Sequence, residues 1–441
     1  MVGLPYTSLG CANCRKRKIK AKRPVRQLVG HINPLGLPPV FSMSAEVRTQ
    51  LYSTFMETFF APCNVTNGKD DSLYFLLAHF PILAGESELF DQSVIALASA
   101  FLGKKNGDGV LARRGLEIYS SALNVMTRAL RQKGPPTSNL LYATILLHTY
   151  ETVYGNTNAL HNCFVHIQGA NAILKHHNFK TDDTQTLTKV MLTRQKWAAA
   201  FFILNSKNAS ISDIECLALE QDDSPVDKLF EIIAQLVFLQ RNLESGARLH
   251  GLHRERACET LLRRCSQLQE TLHTDWLSGA AEVLEGEPCP FPEDGPSHDH
   301  ALLPLDAALT PYTFRSLNSA KTYLLFWVAS LKISQMIYRA EKLLHRNSNP
   351  THMLFYAGEI CRSMAYCMQP KVRLSADHAA LFAISQASKC YIACGAIDLF
   401  TWCQGIYRFI NRQGFDVASC VGDADWALWF AAQSQKIASA L

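Results

Sequence analysis

The feature that most constrains this chain is a recurrence of apolar residues at intervals of three and four, which starts at Ser44 and continues with breaks to the C-terminal end. In residues 90–102 the apolar positions Phe90, Val94, Ile95, Leu97, Ala98, Phe101 and Leu102 follow it. In residues 116–130, Leu116, Tyr119, Ala122, Leu123, Met126, Ala129 and Leu130 repeat it. A side chain returns to the same face of an α-helix every three or four residues, whereas a strand requires alternation, which is nearly absent here. The spacing therefore predicts an all-α chain in which each helix turns one apolar stripe to a core. Gly103 is expected to end the first of these helices and Gly134-Pro135-Pro136 the second, with Leu140, Leu141, Ile145, Leu147, His148 and Val153 marking the next. Further helices are predicted over 164–176, 186–203, 225–243, 258–277, 323–337, 352–368, 376–394, 397–411 and 424–438. The short breaks between stripes predict antiparallel neighbours.

Two stretches break the pattern. Residues 30–43, with Gly30, Pro34, Gly36, Pro38 and Pro39, read as an extended linker, and residues 281–310, acidic and proline-rich from Glu285 to Pro296, read as a mobile surface loop. The chain is thus expected to comprise an arm (1–29), the linker (30–43), a first helical part (44–280), the loop (281–310) and a second helical part (311–441). Over 441 residues, 48% hydrophobic against 18% charged content leaves ample apolar surface to bury and excludes a disordered chain. The longest apolar runs, near 197–204 and 323–328, fall short of the roughly 18 residues a membrane span needs, and no secretory apolar segment follows the start. The expectation is a soluble intracellular protein whose fourteen cysteines are reduced thiols, mostly buried.

Charge is local. Residues 10–30 hold Arg15, Lys16, Arg17, Lys18, Lys20, Lys22, Arg23 and Arg26 and no acid, so the net charge of +5 leaves the rest of the chain acidic overall. Any nucleic-acid footprint should lie in this arm. Directly before the basic run stand Cys11 and Cys14, a spacing from which two thiolates can grip one metal ion. A solvated basic tail or nuclear-import signal beside a chance cysteine pair is the plainer account of the same residues.

The series Cys11-Ala12-Asn13-Cys14-Arg15-Lys16-Arg17-Lys18-Ile19-Lys20 resembles the opening of the fungal zinc binuclear cluster. In that family six cysteine thiolates hold two zinc ions, and the basic residues after the second cysteine enter the major groove. The resemblance implies Cys11 and Cys14 as metal ligands and the eight basic residues as DNA contacts. The pattern then fails: Ala21 stands where the family has its third cysteine, and the next thiol is Cys63. Because all the remaining thiols vanish together just after a faithful first half, a misplaced splice junction near Ala21 accounts for the break better than gradual decay. The body is similar to the fungal-specific transcription factor domain found downstream of such clusters. The similarity rests on residues 89–103, 119–123, 146–151, 166–174, 312–314, 325–327 and 400–414, which match in order across roughly 44–415. It implies a nuclear regulator of RNA polymerase II transcription, attached in many members to a local gene cluster, with DNA, co-regulators and a small-molecule effector as partners.

Other constellations are weaker. Asp222, Asp223 and Asp227 echo the aspartate-rich Mg²⁺ motif of all-α terpenoid synthases, and residues 212–220 its second motif, but in reversed order, and Pro225 places the acids at a helix start. Cys163 between His161 and His166 reads as a core stripe with polar flanks rather than a nucleophile or clamp, and His176-His177 as polar residues at a helix end. Phe326-Trp327, Trp426 and Trp429-Phe430 read as core, with a pocket between helices as the alternative. With no P-loop, dinucleotide fingerprint or hydrolase elbow, no catalytic residue is assigned and the chain is expected not to be an enzyme. The alternative to a DNA reader is a helical interaction or effector-binding protein that does not bind DNA.

Overall fold

The computed structural model describes residues 44–60, 72–131, 137–155, 158–176, 185–205, 211–219, 224–280, 288–290, 310–369 and 373–440. The chain divides into two units, Met1–Ser42 and Met43–Leu441. The first lies outside the described residues, and the helices belong to the second. In order they are α1 (Ala45–Phe60), α2 (Ser72–Ala78), α3 (Phe80–Leu83), α4 (Glu88–Lys105), α5 (Gly109–Ala129), α6 (Ser138–Val153), α7 (Ala159–His176), α8 (Gln185–Asn205), α9 (Ile211–Leu217), α10 (Pro225–Ala247) and α11 (Gly251–Glu270). A π-helical turn, Thr271–Trp276, and a last α-helical turn, Leu277–Gly279, extend α11. Two short strands come next, β1 (Cys289–Pro290) and β2 (Tyr312–Thr313), and then α12 (Leu317–Leu343), α13 (Thr351–Cys367), α14 (Arg373–Cys394), α15 (Ile397–Arg412) and α16 (Val417–Ala440). The described chain is all-α apart from this one strand pair.

Polar residues start the helices where the apolar pattern pauses. Ser87, Asp108, Thr137, Ser224 and Ser316 precede α4, α5, α6, α10 and α12, and each side-chain oxygen accepts a bond from a first-turn amide. Such a cap contributes about 1 kcal/mol, because it satisfies a donor the helix itself cannot.

Several helices, α13 and α14 among them, bury far more than one stripe. In α6 every residue from Leu140 to Val153 is buried, and α4 and α12 are buried along almost their whole middle lengths. Helices apolar on all sides become the interior around which amphipathic ones pack. Helices α5 and α6 pack on α4, while α10, α11, α13 and α14 surround α12. Gly103 does not end α4, which continues to Lys105. A Cβ at Gly103 would stand 2.3 Å from the Ala112 amide nitrogen, and one at Gly115 2.6 Å from that of Ala100. Glycine is therefore there for close approach of two backbones. Residue numbers rise along one helix as they fall along the other, so α4 and α5 are antiparallel, as their short connection requires. The break expected at Gly134-Pro135-Pro136 lies outside the described residues.

The expected loop 281–310 is not wholly irregular. Cys289 pairs with Thr313 and Pro290 with Tyr312 in an antiparallel ladder, which fastens part of the acidic stretch to the start of the second helical part. Residues 281–287 and 291–309 lie outside the described residues. The two helical parts are also joined by Lys104, whose Nζ donates to the Val153 carbonyl at 3.1 Å and lies 2.5 Å from Asp416 Oδ1. The ten cysteines described with their side chains are all free thiols. Among the described residues, no helix is long and apolar enough to cross a membrane.

Candidate functional site

Helix α8 bridges the two parts of the fold, packing on α2, α7 and α10 of the first and on α14 of the second. Lys189, Thr193, Trp197 and Phe201 recur four apart along it and so share one face, which forms a wall of a cavity of about 320 Å³. Ile145 and His148 of α6, Ser72 of α2, Asn318 and Lys321 of α12, and Ala379 and Phe382 of α14 close the rest. Five helices that are distant in sequence thus meet at one space, of a size that suits a small organic molecule.

The lining combines two chemical kinds of side chain. Phe201 stacks on Phe382 with ring centroids 5.7 Å apart and 14° between planes, and Trp197 lies 6.3 Å from Phe201 at 27°. Near-parallel rings make a flat apolar wall. Cations line the same space: Arg194 Nη1 donates to Ser72 Oγ at 3.2 Å, and Lys189 and Lys321 join it in the lining. Among the described residues the lining carries these three cations and no carboxylate. Such an arrangement suits a ligand with a flat apolar body and an anionic group.

Buried polar chains hold α8 in place behind this wall. Gln195 Nε2 donates to the Ile167 carbonyl at 3.1 Å and to Asn171 Oδ1 at 2.7 Å, and Asn171 Nδ2 donates to Asp213 Oδ1 at 2.9 Å. Lys196 Nζ lies 2.9 Å from Asp227 Oδ1, both side chains nearly inaccessible. Asp227, grouped with Asp222 and Asp223 by the sequence, is therefore the partner of a lysine. Its amide donates to the Ser224 cap at 3.1 Å, as its place at the start of α10 requires. Asp222 and Asp223 lie outside the described residues, and Asp213 belongs to an amide network.

His166 departs from the expected polar flank. It is buried, its Nε2 is 3.3 Å from the Tyr119 hydroxyl, and that hydroxyl donates to Glu151 Oε1 at 2.5 Å. Tyr150 stacks on Tyr119 at 4.1 Å and 10°. Burial pushes the His166 imidazole down to about 4, so it is neutral at physiological pH. Cys163 is buried, with its Sγ 4.0 Å from the His148 carbonyl, and burial raises its thiol well above the usual range. His161 is exposed, and the cysteine is a core residue whose thiol is kept protonated by burial. His176 ends α7 exposed, and His177 lies outside the described residues.

Of the aromatic residues singled out in the sequence, Phe326, Trp327 and Trp429 pack as core, whereas Trp426 is half-buried and Phe430 exposed. Phe326 stacks on Trp276 at 5.2 Å, Trp327 on Tyr312 at 5.6 Å and Trp429 on Phe400 at 5.0 Å. The aromatic pocket wall is built instead from Trp197, Phe201 and Phe382. The one signal for it in the sequence was the four-residue recurrence of Lys189, Thr193, Trp197 and Phe201, which nothing connected to Phe382 or Lys321. The metal ligands Cys11 and Cys14 and the DNA contacts Arg15, Lys16, Arg17, Lys18, Lys20, Lys22, Arg23 and Arg26 lie outside the described residues. Among the described residues no group of three or more His, Cys, Asp or Glu side chains could hold a metal ion. In comparisons with known proteins, the chain matches no family model, no curated protein and no solved structure.

Proposed function

We propose that the chain is a non-catalytic regulator of transcription, nuclear and of the fungal zinc-cluster type, in which the helical body senses a small molecule and DNA recognition by the arm is impaired in this form. The observation that carries the regulatory part is the cavity between α2, α6, α8, α12 and α14, with its stacked aromatic rings and three cations. A ligand held there would touch helices from both halves of the body at once, and its binding energy would favour whichever packing of those helices closes on it. Access of a co-regulator to the body is what such a shift would control.

The DNA-reading part is supported by Cys11, Cys14 and the basic run through Lys20, and limited by the loss of the pattern from Ala21 onward. Two thiols cannot complete two tetrahedral zinc shells, so the residues present do not fit the two-zinc cluster and no step is derived through it. Ala21 and the lack of any thiol before Cys63 favour a second reading, a helical effector-binding or interaction protein that acts without base readout. Sequencing the transcript across codons 15–35 separates them. A frame that supplies cysteines soon after Lys20 supports the DNA reader, and a transcript that joins Lys20 to Ala21 as written leaves the interaction protein.

A further inference from the structure

A second cavity, of about 220 Å³, lies between α8, α10, α12, α13 and α14, with a lining that shares no residue with the aromatic-walled cavity. Leu204, Leu236, Val237, Met336 and Met353 make most of it apolar. Three cations line it nonetheless. Lys332 and Arg339 lie seven residues apart, and hence two turns apart on one face of α12, and Lys389 comes from α14. Among the described residues no carboxylate lines this cavity. Lys389 is drawn toward Asp425, which accepts from the Tyr407 hydroxyl at 2.7 Å. Lys332 has no such compensation, since its ammonium makes neither a hydrogen bond nor an ion pair with any described residue. Burial, then the nearby charges of Lys389 and Arg339, push it down to about 7.

Lys332 and Lys389 are half-buried here and Arg339 reaches solvent, so three like charges meet at one largely apolar space, where an anion would offset their repulsion. We propose that this cavity binds a short-chain carboxylate, with its charged end between Lys332, Arg339 and Lys389 and its hydrocarbon body against Leu204, Leu236 and Met353. The planar Arg339 guanidinium offers paired donors to a carboxylate, and the two lysines add point charges. A space of this size takes a short-chain molecule rather than a large cofactor. The apolar lining disfavours a bare inorganic ion. This site is separate from the cavity on which the regulatory reading rests, so either can fail alone.

Isothermal titration of the full chain at pH 7 with hexanoate, hexanol, hexylammonium and inorganic phosphate tests it. Hexanoate is expected to bind and the other three are not. Lys332→Met and Arg339→Met should each weaken hexanoate at least about tenfold. Lys332→Met should also leave the melting temperature unchanged or raised, because it removes a half-buried cation that stands near two others. Should either variant fail to fold, Leu236→Phe, which fills the cavity without altering charge, should abolish binding. The proposal is overturned if hexanol or phosphate binds as tightly as hexanoate, or if hexanoate affinity survives Lys332→Met or Leu236→Phe. It is likewise overturned if Ala198→Phe, which fills the other cavity, removes binding.

Discussion

Replacing Gly103 by alanine tests the close approach of α4 and α5 with a single methyl group. On helix propensity alone the change should stabilise, because glycine in a helix costs about 0.5–1 kcal/mol relative to alanine. Packing opposes this. The new Cβ would lie 2.3 Å from the Ala112 nitrogen, 2.7 Å from its Cα and 2.9 Å from its Cβ, and two of these atoms are backbone and cannot rotate away. Restoring a contact of about 3.5 Å requires the helices to part by about 1 Å, which also loosens the crossing of Gly115 and Ala100. Overpacking of this kind costs about 1–3 kcal/mol, so the net expectation is a loss of about 1–2 kcal/mol. Urea unfolding followed by far-ultraviolet circular dichroism should show a lower midpoint at unchanged slope. Gly405→Ala is the control: it lies within α15, nothing stands within 4 Å of its Cβ position, and it should gain about 0.5–1 kcal/mol. A Gly103→Ala midpoint at or above that of the parent, alongside a stabilised Gly405→Ala, would refute the packing argument.

Four further outcomes are expected. Asp227→Ala should cost about 3–5 kcal/mol by stranding the buried Lys196 charge, and Lys196→Met with Asp227→Leu should recover most of it, as read by denaturant midpoints. His166 titrates at about 4 when folded and about 6.5 when unfolded, so as pH falls through 6.5 the unfolded chain takes up the proton first. Stability from this group should therefore be complete above about pH 6.5, fall by about 3 kcal/mol toward pH 4 and level below it, and a melting series with His166→Phe should lack that limb. DNA binding by the chain as written should be nearly indifferent to sequence, with log affinity falling against log salt at a slope of about −4 to −7, and a single base pair worth about 1–3 kcal/mol would contradict it. Metal analysis of the purified chain should find well under two zinc ions per molecule, since Cys11 and Cys14 have no further thiol partner before Cys63.

Much of the architecture was legible before any coordinates. The recurrence of apolar residues at three and four placed helices that coincide with α5, α6, α7, α8, α10 and α12 to α16 within a few residues at most ends. Periodicity reports backbone geometry directly, because side chains three or four apart share a helix face. It misread Gly103 because a glycine that stops a helix and one that admits a neighbouring backbone look alike in one dimension. It also treated α4 and α6 as one-sided, since a buried polar residue such as Gln92 or Glu151 looks like a solvent-facing one until its partner is known.

The candidate site was legible only in fragments. Lys189, Trp197 and Phe201 lie on one predicted helix face, but their partners Ser72, Lys321 and Phe382 are brought to them by the packing of α2, α12 and α14, and no spacing along the chain encodes that meeting. Lys332 and Lys389 illustrate the same limit. In sequence each is an ordinary lysine within a helix, and the apolar cavity that gathers them and holds Lys332 at a pKa of about 7 exists only in three dimensions. What the residue order determined by itself was the helical class, most helix positions and the locality of positive charge, because these depend on neighbours within about four residues. What only the tertiary structure decided was which helices lie inside, which polar groups find partners, and where the cavities are, because burial and electrostatic coupling act through space rather than along the chain.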